Sequence, residues 1–233
     1  MSKNSALSSH ELPISSLPLN KIKPKNKHQK KYLKFLDEHE IVICSGVSGV
    51  GKTLLTLAYS LKNIMNGKFD KIILMRPLVT TEDVGYLPGS LSEKVSPHYQ
   101  VFSYTIEQLI GEKEQNRLYD QKKIIDFTLA FSRGITFDNS IIIADEFQNA
   151  TKEQVKLLLT RIGHDSKLIM SGDPDQIDLK RNTDSGLEDA MKRFKAVEGI
   201  GVFEFDRNET VRNPVINKIL NCYETGYEIE NNL

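Results

Sequence analysis

The sequence is short of net charge, of cysteine and of long apolar runs, and each shortage removes a class of protein. Lys plus Arg and Asp plus Glu both number 31 in 233 residues, so no overall basic field draws the chain to nucleic acid and any such attraction must be local. Its two cysteines, Cys44 and Cys222, are too few and too far apart for a disulfide framework or a zinc site. That usage fits a reducing compartment, with both thiols structural. No stretch approaches the roughly 20 apolar residues of a membrane span, and the N-terminus lacks the apolar segment of a signal peptide. A soluble, cytoplasmic protein with no membrane partner is expected. No internal repeat is visible.

What is present is enough for one domain with a real core, since 39% of the residues are apolar. Charge is unevenly placed. Lys3, Lys21, Lys23, Lys25, Lys27, Lys30 and Lys31 face a single acid, Glu11, in the first 31 residues. We read residues 1–25 as a basic N-terminal arm, flexible or pairing along an edge, 26–224 as the folded domain, and 225–233 as an acidic tail. Within the domain, short apolar runs at 40–45, 71–76, 140–146, 167–172 and 201–205 alternate with helical patterns. The helices are predicted at 52–66, 98–111, 117–131, 151–162, 185–195 and 213–224, with Thr151 as an N-cap. This alternation predicts an α/β fold, a mainly parallel β-sheet flanked by helices. The stretch 77–137 is long for one connection and reads as a functional insertion.

The octapeptide Gly46-Val47-Ser48-Gly49-Val50-Gly51-Lys52-Thr53 fits G-x-x-x-x-G-K-[ST] between a predicted strand and a predicted helix. Glycines there let backbone N–H groups surround a phosphate, and the helix N-terminus adds partial positive charge. Lys52 would reach the β- and γ-phosphates and Thr53 would offer a hydroxyl to Mg2+. A glycine-rich turn that only joined strand to helix would not need Lys-Thr at that offset. The run Ile141 to Ala144 then delivers Asp145 and Glu146 to a strand end, where open α/β sheets bind ligands. Acid pairs at strand ends also serve as helix caps. After a phosphate loop they read as a metal-holding Asp145 and a water-polarising Glu146. One βα unit later, Gln176 follows a Gly-Asp-Pro turn, placed to bond a γ-phosphate or the attacking water. The guanine-reading N-K-x-D pattern is missing, because Asn217-Lys218-Ile219-Leu220 lacks the aspartate. ATP is therefore expected over GTP.

These blocks resemble the PhoH family, whose core is similar to that of superfamily one helicases, a RecA-like P-loop NTPase. The resemblance rests further on MRPLVTTEDVGYLPGSLSEKVSP at 75–97, SRGITF at 132–137, DEFQNAT at 145–151, LLTRIG at 158–163, SGDPDQIDL at 171–179, SGL at 185–187 and ETVRNPVI at 209–216. It implies that Gln29 reads the adenine edge, Gln176 senses the γ-phosphate and Arg212 is an arginine finger. Arg133 and Arg161 are further candidates to reach a neighbour's nucleotide. The sequence departs from the family pattern at Phe147, Ile135, Lys180 and Asn213, where Ala, Arg, Pro and His are usual. None of these removes a group that hydrolysis needs. The resemblance also implies the short form met in phages and some bacteria, without an appended RNA-binding or nuclease domain.

An ATP-hydrolysing enzyme with ATP and Mg2+ at its site, coupled to RNA binding or remodelling, is the expected function. The alternative is an ATP-dependent regulatory switch on a protein partner, in a setting of phosphate limitation that the family name suggests; a small-molecule kinase lacks an evident acceptor pocket. One RecA-like core leaves the nucleotide without a second wall, so a homo-oligomer is expected by analogy, a dimer or a ring such as a hexamer. Single-stranded RNA would meet the arm through Lys21, Lys23, Lys25 and Lys27, or the insertion through Tyr86, Tyr99, Phe102 and Tyr104.

Overall fold

The computed structural model describes residues 22–77, 91–179 and 183–211, with 215, 216, 219 and 222; at 91–98 and 208 it describes the backbone alone. The five apolar runs become strands, and a sixth joins them. In chain order these are β1 (Ile41–Ser45), β2 (Lys71–Met75), β3 (Ile124–Asp126), β4 (Ser140–Ala144), β5 (Lys167–Gly172) and β6 (Ile200–Glu204). They form one parallel six-stranded sheet in the order β3-β2-β4-β5-β1-β6.

Burial follows position in the sheet. Every residue of β4 and β5 is buried, whereas the edge strands β3 and β6 are only partly covered. A parallel strand covered on both faces needs an unbroken apolar run, which Ile141-Ile142-Ile143 supplies. Ile141 and Ile143 face one packed layer with Leu57, Leu61 and Phe102; Ile142 and Ala144 face the other with Val155, Leu158 and Leu187. The period of two thus sorts one strand between two cores.

The helices are α1 (Lys27–Glu38), α2 (Lys52–Met65), α3 (Leu91–Ile110), α4 (Glu112–Asp120), α5 (Lys152–Leu159) and α6 (Gly186–Phe194). Thr151 caps α5 as expected, its hydroxyl accepting from the Gln154 N–H while the Gln154 side chain accepts from the Thr151 N–H. Helix α1 was not among the predicted helices. Asn26 starts it by accepting the Gln29 N–H at 2.8 Å, and Tyr32 and Leu36, four residues apart, bury its inner face. Its C-terminal carbonyls at Leu36 and His39 accept the ammonium of buried Lys167 from the start of β5.

The helix predicted at 117–131 is corrected. Its first residues end α4, Lys122 turns the chain at φ 55°, and Ile124–Asp126 becomes β3, pairing Ile72 with Ile124. Adjacent β-branched isoleucines favour the strand, and burial of Ile124 decides it. Helix α3 begins at Leu91, ahead of its predicted start at 98, and so contains Pro97. A proline in the second turn removes one backbone bond, which the rest of a 20-residue helix outlasts. The described part of the 77–137 stretch therefore builds α3, α4 and an edge strand. The helix predicted at 213–224, the tail at 225–233, residues 78–90 and residues 1–21 lie wholly or largely outside the described residues, although 215, 216, 219 and 222 are helical.

Candidate nucleotide site

Because all six strands run the same way, everything that follows a strand gathers at one edge of the sheet. The phosphate-loop sequence follows β1. Gly46 donates its N–H to Gly172 O at 3.2 Å, and a Cβ on Gly46 would stand 2.7 Å from the Phe205 Cβ. Gly51 has φ +96°, a left-handed turn that releases the chain into α2. Val47 packs on the core and Val50 is buried in it, which anchors the loop from below. Gly49 accepts the Val211 N–H at 3.1 Å. No side chain caps α2 and its first turn holds no acid, so the first N–H groups there remain available to an anion. Lys52 folds back, its buried ammonium donating to Gly46 O and to Val47 O.

The carboxylates arrive on β4. Asp145 is buried, and Thr53 donates its hydroxyl to Asp145 Oδ2 at 2.9 Å while Ser171 donates to Oδ1 at 2.7 Å. A threonine hydroxyl in contact with a carboxylate, beside a phosphate-sized cradle, is the oxygen set that magnesium takes together with phosphate oxygens. Thr53 and Asp145 thus fit that ion. Glu146 follows with φ 60° and ψ 28°, a left-handed conformation unusual outside glycine. The twist turns its side chain away from the strand line and into the cleft.

Gln148, in the short turn after Glu146, ties the two carboxylate loops together. Its amide donates to Glu146 Oε2 at 2.7 Å and to Gln176 O at 3.1 Å, and its oxygen accepts the Asp173 N–H at 3.0 Å. Asn149 adds a second clasp by accepting the Asp178 N–H at 2.7 Å. Gln176 in turn donates to Asp173 Oδ2 at 2.7 Å. Gly172 is forced by this closeness, since a Cβ there would lie 2.8 Å from the Gln148 backbone nitrogen.

Ser48, Gly49, Gly51, Lys52, Thr53, Asp145, Glu146 and Gln176 all line one cleft of about 450 Å³. Arg76, Val101, Tyr104, Thr105 and Gln108 line its far side. The sequence reading missed Arg76, Gln148 and Ser171. Arg76 ends the predicted run at 71–76, and all three lie in blocks that carry the family resemblance, at 75–97, 145–151 and 171–179, but nothing local assigned any of them a role.

Other candidates fall differently. Gln29 is 3% exposed and sits behind the loop, its amide donating to Val50 O at 2.8 Å and accepting the Lys25 N–H at 2.7 Å. Arg212 lies outside the described residues, directly after Val211, which touches Gly49 and lines the cleft. Arg161 lies at the opposite edge of the sheet, where its carbonyl accepts the Phe137 N–H ahead of β4, and Arg133 does not line the cleft. Tyr99 and Phe102 are core residues and not a stacking platform, because α3 turns them into the apolar layer; Tyr104 is 66% exposed, and Tyr86 lies outside the described residues. Cys44 is buried, with burial pushing its thiol up to about 12, whereas Cys222 is exposed rather than structural. Among the described residues no helix is long and apolar enough to cross a membrane.

Residues 21–224 match the family described as PhoH-like protein. A PhoH-like protein of Bacillus subtilis is 37% identical over 204 residues, covering 87% of this chain and 64% of its own length. Protein PhoH of Escherichia coli K12 is 34% identical over 202 residues, covering 85% and 57% respectively. The chain therefore spans about three fifths of the length of these curated relatives. Among solved structures, the large terminase of a thermophilic bacteriophage aligns with a TM-score of 0.47 at 13% identity, covering 84% of this chain and 48% of that one. With a parallel sheet, a phosphate loop after β1 and a carboxylate pair after β4, and with a family match over nearly its whole length, the chain belongs to the PhoH family and has the architecture of a P-loop NTPase.

Proposed function

We propose that the protein binds ATP with Mg2+ and hydrolyses it. The observation that carries this reading is the Thr53–Asp145 contact at 2.9 Å, which joins the phosphate loop to the carboxylate strand at the mouth of one cleft. Lys52 would exchange its two loop carbonyls for phosphate oxygens, and the open N-terminus of α2 would hold the same phosphates. Magnesium, held by Thr53 and Asp145, would supply charge neutralisation. Glu146 would take the proton from a water attacking the γ-phosphorus, while the bond to the β,γ-bridging oxygen breaks and ADP leaves. Gln176, steadied by Asp173, would sense the γ-phosphate, and Arg212 would act as an arginine finger. Gln29 would read adenine only by sharing an amide that already holds Val50, so base recognition and loop shape would be linked.

We further propose that hydrolysis is coupled to single-stranded RNA in a soluble homo-oligomer. Lys23 and Lys25 at the end of the arm and Lys27, Lys30 and Lys31 at the start of the folded domain are all exposed, a row of cations suited to a phosphate backbone. The test is ATP turnover with and without single-stranded RNA. Stimulation supports the coupling; an unchanged rate at saturating RNA sets it aside in favour of a switch acting on a protein partner.

A further inference from the structure

We propose that Arg76 contacts the γ-phosphate in the same chain and neutralises the charge that develops there during hydrolysis. The inference rests on the ATPase reading above. Arg76 follows Met75, which is in register with Ala144 across the β2–β4 pair, so it stands beside Asp145 at the ligand-binding edge. The sheet order places β2 and the phosphate-loop strand β1 on opposite sides of β4. A triphosphate entering from the loop therefore points its terminal group towards the carboxylates, with Arg76 beyond them.

Among the described residues that line the cleft, Arg76 is the one cation besides Lys52. Its guanidinium is 3.4 Å from Asp145 Oδ2 and 3.7 Å from Glu146 Oε1, with a side chain 15% exposed. Those distances exceed the roughly 2.7–2.9 Å of a tight charge-assisted bond. A phosphate at closer range would therefore compete well with either carboxylate. The guanidinium carbon lies 5.0 Å from the ring centroid of Phe102, which is fully buried, so the ring fixes where the charge sits. Asp145 Oδ2 is also the oxygen that Thr53 contacts. A metal at that oxygen would compete with the guanidinium, and the adjacent γ-phosphate offers the replacement anion. A planar fork suits two phosphate oxygens at once, which an ammonium cannot match.

The opposing possibility is a static counter-ion that only keeps Asp145 and Glu146 in place. Affinities of the full chain for fluorescent ADP and fluorescent ATPγS, both with Mg2+, separate the two. In Arg76→Met we expect ADP affinity within about twofold of the parent and ATPγS affinity weakened about 10- to 100-fold, the cost of one lost bond to a charged group. Turnover should fall about 1000-fold. An ATPγS-to-ADP affinity ratio equal to the parent's overturns the assignment, whatever happens to turnover. Should Arg76→Met not fold, Arg76→Gln, which keeps a polar head, is decided by the same ratio. Lys52→Ala should weaken both nucleotides together. A parent protein that binds neither removes the ATPase reading itself, a failure distinct from an unchanged ratio.

Discussion

Gln148 spends one carboxamide on three groups, the Glu146 carboxylate, the Asp173 N–H and the Gln176 carbonyl. Gln148→Leu keeps the volume but leaves a buried N–H and a carboxylate without that partner, so we expect a stability loss of about 1–3 kcal/mol and a larger loss of turnover than of ATP affinity. Denaturant unfolding and steady-state kinetics measure the two; unchanged values of both would mean that the clasp is idle. Lys167 gives a pH-dependent case. Burial is the largest influence on its ammonium and, with Lys68 nearby adding to it, brings the pKa from 10.5 down to about 8. Between those values the unfolded chain holds a proton that the folded chain has released, so stability from this site rises with pH across that window and is lowest below it. Lys167→Met should flatten that rise in unfolding curves taken from about pH 8 to 10.5. A rise of equal steepness in the variant would place its origin elsewhere.

At the scale of elements, the exposed lysine row runs from Lys23 and Lys25, just ahead of α1, to Lys27, Lys30 and Lys31 in its first turns, while Tyr32 and Leu36 bury the inner face of the helix. Changing Lys21, Lys23, Lys25 and Lys27 to Ser removes charge without cutting the chain before Asn26. If about four phosphates are engaged, log K for single-stranded RNA should fall with log salt at about −0.7 per contact, roughly −3 in all. The substituted protein should show a flatter slope with basal ATP hydrolysis kept; an unchanged slope would move the contact to other residues. Legibility in the sequence followed the same divide between local and non-local. The strand runs and the phosphate loop were readable because a parallel strand needs apolar residues on both faces and the loop needs its glycines and Lys-Thr at fixed offsets. Thr53, Asp145, Glu146 and Gln176 were found that way and do share one cleft. Strand β3 was not, because Ile124 and Ile125 fit a helical apolar pattern until pairing with β2 decides between the two. Gln148 and Ser171 were given no role because what they do depends on partners far along the chain, Asp173 and Gln176 for Gln148 and Asp145 for Ser171.

At the scale of the molecule, the described residues offer one sheet, one phosphate loop and one cleft. The far side of that cleft presents Val101 and Tyr104, both exposed. A second copy covering them would complete the site, so mass in solution should exceed that of one chain, and dilution to single chains should lower turnover per chain. A protein that is monomeric and equally active at all concentrations would argue that the site is complete in cis. The central claim is that these residues make an ATP-hydrolysing site, and phosphate release measured beside ATP binding in three proteins tests it most directly. The parent should bind and hydrolyse Mg2+-ATP. Lys52→Ala should lose turnover, and Glu146→Gln should keep binding while losing most turnover, since an amide holds the shape of the carboxylate but cannot accept the proton. Turnover in Lys52→Ala equal to that of the parent would contradict the account.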